Sequence, residues 1–484
     1  MTERSTPVIS LISAVYDVAD YLPAFLSSLD AQGDLGGWVE VLLVSDGSPD
    51  ASERIIEDWI ASTSVDARLL RKENGGAGSA RNHGLEHASG RWVSFPDPDD
   101  VLAPGYLRHL LKAADRAERD AVGIVAAKVE QFSDDPSAAR DDHLLGYRYR
   151  GRRRVVDLDA NPTYFHTHVP SGLYRRSVIV ERDIRFDPRL RVAFDDATFA
   201  AEYALALEAP SMLVVPEATY RYRRRADGSS LVGTMWSKPA KYTEIPRHGY
   251  LRLLEARDPA PLWLQSLVMY DLEWFFVEYL DPASPNRRID GATAAEFLDV
   301  LDRVLARIDI DLLAAFPLHR LAEDVRVALS TRKTGSLPWN DGRVRLAADG
   351  ATARISCYAA SVDEAVQVTV DARSITPIAE RRTPIEFYGE AFCARIDLEV
   401  PLGGTVVVRC GVDRVLPLTL EPSGRSLGAS ISPWALEDAL AADAPLSRVQ
   451  HAWAMVPRPA KRMVRPALSL VRSVRAAARG GARR

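Results

Sequence analysis

NGGAGSARNHGLEHASGRWVSFPDPDDVLAPGYL, residues 74–107, carries a glycine-rich turn, a helix pattern starting near Gly76, an apolar strand at 91–95, an acidic turn at 96–100 and a second helix opened by Pro104. The same alternation runs through everything N-terminal to it. VISLISAV (8–15) precedes a helix near 19–31, VEVLLVS (39–45) precedes one near 50–63, and ARLLRK (67–72) precedes the helix at Gly76. Strands alternating with helices at this spacing predict an α/β fold with a mostly parallel sheet covered on both faces. Such sheets bind ligands at the carboxyl ends of their strands, so the segments just after each strand are the ones to read.

Length and composition set the limits. A chain of 484 residues suggests about three domains. Its 47% apolar and 26% charged residues fit a globular protein and exclude whole-chain disorder, collagen and coiled coil. No apolar run approaches the ~20 residues that span a bilayer. MTERSTPV shows no basic-then-apolar leader, which points to a cytoplasmic protein. Cys357, Cys393 and Cys410 have no CxxC spacing and cannot all pair, so they read as small core residues in a reducing compartment, not as a zinc site. The net charge of −5 is uneven: no acidic residue follows Asp443, and Arg448–Arg484 contributes +10, leaving −15 over residues 1–443. A body this acidic excludes nucleic acid as a partner, and the basic block reads as an interaction tail.

After strand 91–95 come Asp97, Asp99 and Asp100. Three carboxylates in four residues repel one another unless a cation shares them, and hard oxygen ligands suit Mg²⁺ or Mn²⁺. The bland alternative is an acidic turn capping the next helix, a role open to Asp100. SDGSPDAS (45–52) presents Asp46 at the same sheet edge, while Ser48 or Asp50 followed by Glu53 resembles a capping box. In ENGGAGSARNHGL (73–85) the glycines allow close backbone approach to a ligand and Arg81 offers a planar fork. Neither a Walker lysine nor a GxGxxG is present.

Downstream, Asp195 and Asp196 are candidates for a general base, which an acceptor hydroxyl needs because its own pKa is far too high to attack unaided. Either carboxylate could instead cap a helix beginning near Ala197. His166 and His168 are two apart, but no third ligand is near in sequence and packed histidines are the commoner case. Arg221, Arg223, Arg224 and Arg225 follow a strand, as a solvated basic loop or as a grip on phosphate. Residues 231–335 have helical period. Beyond Pro338, Val366, Val368 and Val370 and then Ala394, Ile396, Leu398 and Val400 alternate with polar residues, which predicts a small antiparallel sandwich. The domain scheme is 1–230 α/β, 231–335 helical connector, 336–425 β-sandwich and 426–484 basic tail. In that tail Arg465, Arg472, Arg475 and Arg479 share one helical side opposite Leu470, Val471 and Val474, with Leu468 among the arginines. Residues 458–484 thus read as a helix on an anionic membrane surface, a helix packed on the body, or a disordered end.

The run from Val8 to Tyr16, SDGSPD and residues 74–107 together closely resemble family 2 glycosyltransferases of the GT-A fold, over roughly residues 7–225. The resemblance implies an inverting transferase using a UDP-sugar and Mn²⁺ or Mg²⁺. By position Asp46 and Asn74 would contact the base, Arg81 the base or diphosphate, Asp97 the ribose or phosphate, and Asp99 the metal. RFDPRLRVAFDDATF (185–199) matches the family segment whose second carboxylate is the general base, which places Asp196 there, with Asp195 as the alternative. HVPSGLYRRSVI (168–179) would place Ser171 and Gly172 in the acceptor pocket, and Arg223 against the diphosphate or an acceptor phosphate. Ser45 stands where the family usually has a first aspartate. A nucleotidyltransferase is disfavoured, since Tyr16-Asp17 replaces its glycine-rich loop. A non-catalytic carbohydrate-binding scaffold is the alternative from another class. The order of domains is similar to that of the enzymes that put N-acetylglucosamine on poly(ribitol phosphate) wall teichoic acid. That implies a polysaccharide or polyol-phosphate acceptor, with exopolysaccharide or lipid-linked oligosaccharide as alternatives, and a homo-oligomer, a trimer, through the β domain.

Overall fold

The computed structural model describes residues 7–35, 37–225, 234–316, 318, 322–337, 343–346, 352–370, 373–401, 405–410 and 415–419. The basic tail, with its expected membrane helix, lies outside the described residues.

The chain divides into two units, Met1–Lys333 with Glu386–Glu390, and Thr334–Ile385 with Ala391 onward. The first unit is built on a nine-stranded sheet. Its strands are β1 (Ile9–Val15), β2 (Val39–Ser45), β3 (Asp66–Arg71), β4 (Trp92–Ser94), β5 (Val101–Leu102), β6 (Ile124–Phe132), β7 (Arg154–Asp157), β8 (Gly172–Arg175) and β9 (Ser211–Arg223). They lie in the order β3-β2-β1-β4-β8-β6-β9-β5, with β7 on β9. The run β3-β2-β1-β4 is parallel, as the alternating pattern predicts. β4 and β6 flank β8 antiparallel, so the sheet becomes mixed beyond β4.

Helices α1 (Leu22–Asp30), α2 (Ser52–Ile60), α3 (Ala77–His87) and α4 (Tyr106–Arg119) follow β1, β2, β3 and β5; α5 (Arg176–Glu181) and α6 (Asp195–Leu205) come later. β1 and β2 are apolar along nearly their whole length because helices cover both faces, and all seven β2 residues are buried. The charged residue of β2, Glu40, accepts hydrogen bonds from Ser10 Oγ (2.5 Å), Ser89 N (2.6 Å) and Arg68 Nη2 (2.8 Å), which satisfies a carboxylate that would otherwise be costly to bury. Pairing of Val15 with Ser45 and of Ser45 with Arg71 aligns the strand ends. Asp46 and Lys72 therefore leave the sheet at one edge, beside the chain leaving β1.

The region expected as a helical connector is helical over Leu262–Leu280, Gly291–Arg307 and Glu323–Thr334, all within or closing the first unit. Leu262–Leu280 buries residues all round its circumference, from Trp263 to Phe276, and so shows no single apolar stripe. No helix among the described residues is long and apolar enough to cross a membrane. The second unit holds two four-stranded antiparallel sheets. Ile355, Ile396 and Leu398 of one sheet and Val368 and Val408 of the other share its core, so the two-residue alternation is read out as a two-sheet sandwich. Cys357 lies in that core and Cys393 is buried too.

α3 lies flush on the sheet because Gly84 has no side chain. A Cβ there would stand 2.2 Å from Ile12 Cγ2 and 3.2 Å from Val44 Cγ2. In an open helix Gly→Ala stabilises by about 1 kcal/mol. Here overpacking reverses the sign, and Gly84→Ala should lose about 1–3 kcal/mol in denaturant unfolding. A stabilised variant would refute the flush packing.

Candidate active site

The glycine-rich loop after β3 is held from below by Asp46. Its carboxylate, 2% exposed, accepts from Lys72 Nζ (2.6 Å), Gly75 N (3.0 Å) and Gly76 N (2.7 Å). Gly76, at φ +91°, turns the chain into α3. Gly47, at φ +68°, lets the Asp46 turn approach the loop, since a Cβ there would lie 3.2 Å from Asn74 N. Asn74 is exposed on top of this loop. The expected capping box is not formed: Asp50 Oδ1 accepts from Ser52 N (3.0 Å), whereas Glu53 turns back to Ser45 Oγ (2.6 Å). Asp50 also accepts from Ala19 N (2.8 Å), tying the start of α2 to the segment after β1.

Arg81 is the centre of the site. α3 points it inward, 7% exposed, where Nη2 donates to Asp97 Oδ1 (2.7 Å) and Nη1 donates to Asp196 Oδ1 (2.9 Å) and Asp195 Oδ2 (3.1 Å). Three carboxylates from two separate segments of the chain thus share one guanidinium. Its cation faces the Phe186 ring at 5.1 Å, and Phe186 stacks on Phe199 at 4.3 Å. The neighbouring Asn82 clamps the Phe186 backbone in both directions, each bond 2.9 Å. That holds the 185–199 segment on α3.

α6 starts at Asp195, not near Ala197, and neither aspartate caps it. Both carboxylates are turned to Arg81 instead, a stronger partner than a backbone N–H. The turn that aims them is Phe194, whose φ of +69° is unusual for a bulky residue. Its ring packs edge-on to Tyr250 at 4.8 Å, in space left by Gly249, where a Cβ would meet the ring at 2.8 Å. Burial, with Asp195 and Asp97 nearby, pushes the Asp196 carboxyl up to about 8, against the pull of Arg81 and the Val169 N–H. Burial likewise raises Asp97.

The acidic turn is divided by role. Asp99 Oδ2 accepts from Arg225 Nη2 (2.8 Å) and Nε (3.0 Å), and Arg223 Nε donates to the Asp99 carbonyl (2.7 Å). Asp100 is buried and does not cap the next helix; its Oδ1 accepts from Arg223 N (2.7 Å) on β9. Burial beside Asp99 and Asp97 raises its pKa well above the ordinary value. Arg223 also lies over the rings of Tyr21 and Phe132. α4 begins at Tyr106 after Gly105, at φ +76°.

Ser171 and Gly172 enter β8 fully buried. Ser171 Oγ donates to His168 O (3.0 Å), and a Cβ at Gly172 would lie 2.8 Å from His166 Nε2. Burial depresses His166 to about 3 and His168 well below its ordinary value, so both are neutral packing residues beside Tyr174 and Tyr220. The grouping among the described residues that brings three metal-capable side chains within reach of one another is elsewhere: His83, Glu86 and His87, on the outer face of α3.

Sequence reasoning passed over Lys72, Asn82, Phe194 and Tyr220, and left Arg225 unsingled in a basic run. Lys72 was findable, since it follows β3 at the edge that presents Asp46. Tyr220, whose hydroxyl accepts from Asp97 N (2.9 Å), was not, because a strand tyrosine has no distinguishing spacing.

Residues 10–182 match the model of glycosyl transferase family 2. The minor teichoic acid biosynthesis protein GgaB of Bacillus subtilis is 29% identical over 308 residues, covering 63% of this chain and 33% of that protein. The poly(ribitol-phosphate) beta-N-acetylglucosaminyltransferase TarS of Staphylococcus aureus is 25% identical over 247 residues, 51% of this chain and 40% of that one. This chain therefore spans about a third of the length of GgaB, and 66% of that of a second B. subtilis relative, GgaA. The crystal structure of S. aureus TarS 1-349 in complex with UDP-GlcNAc superposes with a TM-score of 0.52 at 19% identity, covering 67% of this chain and 87% of that one, which shows a shared fold. A glycine loop braced by an aspartate, an acidic turn at a strand's carboxyl end and this match together make residues 10–182 a domain of glycosyl transferase family 2.

Proposed function

We propose that this chain transfers a sugar, N-acetylglucosamine or another hexose, from a UDP-sugar to a hydroxyl of a cell-envelope polymer of the teichoic acid class, with inversion at the anomeric carbon. The observation that carries this reading is the convergence of Asp97, Asp195 and Asp196 on Arg81, which joins the acidic turn to the candidate base in one site. Three carboxylates buried about one cation contribute little net stability, which favours a site that uses their charge over a non-catalytic scaffold. The polymer class is supported by the names of the relatives GgaB and TarS.

The donor lies along the strand edge. Asp46 acts through the loop it braces, and Asn74, exposed on that loop, meets the base. Asp97 is 29% exposed and faces the ribose or phosphate. Arg223 and Arg225 stand on the far side of the acidic turn, where their charge meets the departing diphosphate. Asp99 is 20% exposed, and both bonds it receives from Arg225 fall on Oδ2, so a hard carboxylate oxygen remains for a divalent cation. Mn²⁺ or Mg²⁺ held there by Asp99 would neutralise diphosphate charge. On the acceptor side Asp196, 22% exposed, takes the hydroxyl proton, with Ser171 and Gly172 forming the floor behind it.

A screen of UDP-, GDP- and dTDP-sugars against ribitol-phosphate, glycerol-phosphate and exopolysaccharide acceptors tests the assignment. Transfer from a UDP-sugar, with NMR of the product showing the inverted anomer, is the expected result; a retained anomer would refute the single displacement. Asp196→Asn should lower kcat by at least ~10²-fold, the scale of a lost general base, while calorimetric UDP affinity stays near wild type. Full turnover in that variant would move the base to Asp195 or elsewhere. Asp99→Ala should abolish transfer and weaken UDP binding measured with Mn²⁺ present. Activity surviving both this substitution and excess chelator would remove the metal from the mechanism.

A further inference from the structure

We propose that Arg81 is a positioning residue: its guanidinium holds Asp195 and Asp196 and ties them to Asp97, so that donor and acceptor halves of the site are set by one shared charge and Arg81 does not grip the nucleotide itself. The proposal rests on the reading of Asp196 as the base.

Three observations carry it. First, Arg81 is committed. Both terminal nitrogens are spent on carboxylates at 2.7–3.1 Å, and the side chain is 7% exposed, which leaves little surface for a ligand. Second, its place is fixed by packing: the Phe186 ring lies at 5.1 Å, and Asn82, next along α3, bonds the Phe186 backbone twice. Third, among the described residues no other cation forms an ion pair with Asp196. The groups facing it are Arg81 from α3, Asp97 from the turn after β4, Asp195 from its own helix, the Val169 N–H and the Tyr174 hydroxyl from β8. His168, which faces Arg81, is neutral, and burial keeps the Tyr174 hydroxyl protonated. Two guanidinium nitrogens thus serve three acids. A donor that engages Asp97 changes the share of Arg81 left to Asp196, so the two halves sense each other through this side chain.

The test compares Arg81→Met, which removes the charge, with Arg81→Lys, which keeps it and loses the fork. The acidic limb of the kcat profile should move up by at least ~1 pH unit in Arg81→Met and by less in Arg81→Lys, while the UDP Kd by calorimetry stays within ~3-fold of wild type. A limb that stays in place while UDP affinity falls ~30-fold or more would make Arg81 a donor contact and overturn the proposal. A second readout needs no turnover. A carboxyl whose folded pKa lies above the unfolded value costs stability as pH rises up to that folded pKa, about 8 for Asp196, so removing its cation should widen the melting-temperature deficit of Arg81→Met above about pH 8, where the wild type has released this proton and the variant still holds it. Adding Asp196→Asn should remove that widening. A deficit independent of pH overturns the coupling. A wild-type protein that transfers no sugar would refute the transferase reading, and the melting cycle would still decide on Arg81.

Discussion

One positive charge serving three negative ones is the constraint on which the site depends. A guanidinium buried to 7% exposure is stable only beside anions, and carboxylates so close to one another ionise only with a cation between them. Arg81 meets both needs at once, and its reach dictates the surroundings. α3 must lie close to the sheet, which Gly84 permits. The 185–199 segment must lie on α3, which Asn82 and the Phe186–Phe199 stack enforce. The entry to α6 must be bent, and Phe194 takes a left-handed conformation to bend it, stabilised by Tyr250 and accommodated by Gly249. Backbone strain of this kind, of order 1–3 kcal/mol, persists where packing over-determines it, and here it sits immediately before the two candidate bases.

The donor half follows a different rule, in which acids brace the backbone. Asp46 spends its oxygens on Lys72 and on two loop N–H groups, and Asp50 spends its own on the segments after β1 and before α2. Asp100 is drawn inward to the β9 backbone. Of the carboxylates after the strand ends, Asp97 and Asp99 keep an open side, the first on Arg81 and the second on Arg225. Motif aspartates thus sort into those that brace the loop and those that keep an open side. Burial goes with the first group at Asp46 and Asp100, at 1% exposure, whereas Asp97 and Asp99 keep 29% and 20% of their side chains open.

Much of the architecture was legible in the sequence. The apolar runs at 8–15, 39–45 and 91–95 became buried parallel strands because nothing but a two-sided sheet hides them, and the alternation at 366–370 and 394–400 became a two-sheet sandwich for the complementary reason. The acidic turn was placed correctly at a strand's carboxyl end, since chain order and strand direction alone decide that. What tertiary structure decided is which charge answers which. Arg81 and Asp195 are separated by 114 residues and Asp99 and Arg225 by 126, and no local spacing encodes such pairs. The start of α6 at Asp195, the inward turn of Asp100 and the neutral histidines at 166 and 168 were decided by competition. A helix N–H competes with a guanidinium, and solvent with a packed ring, and the stronger partner is known only once distant segments have met in a medium of low dielectric.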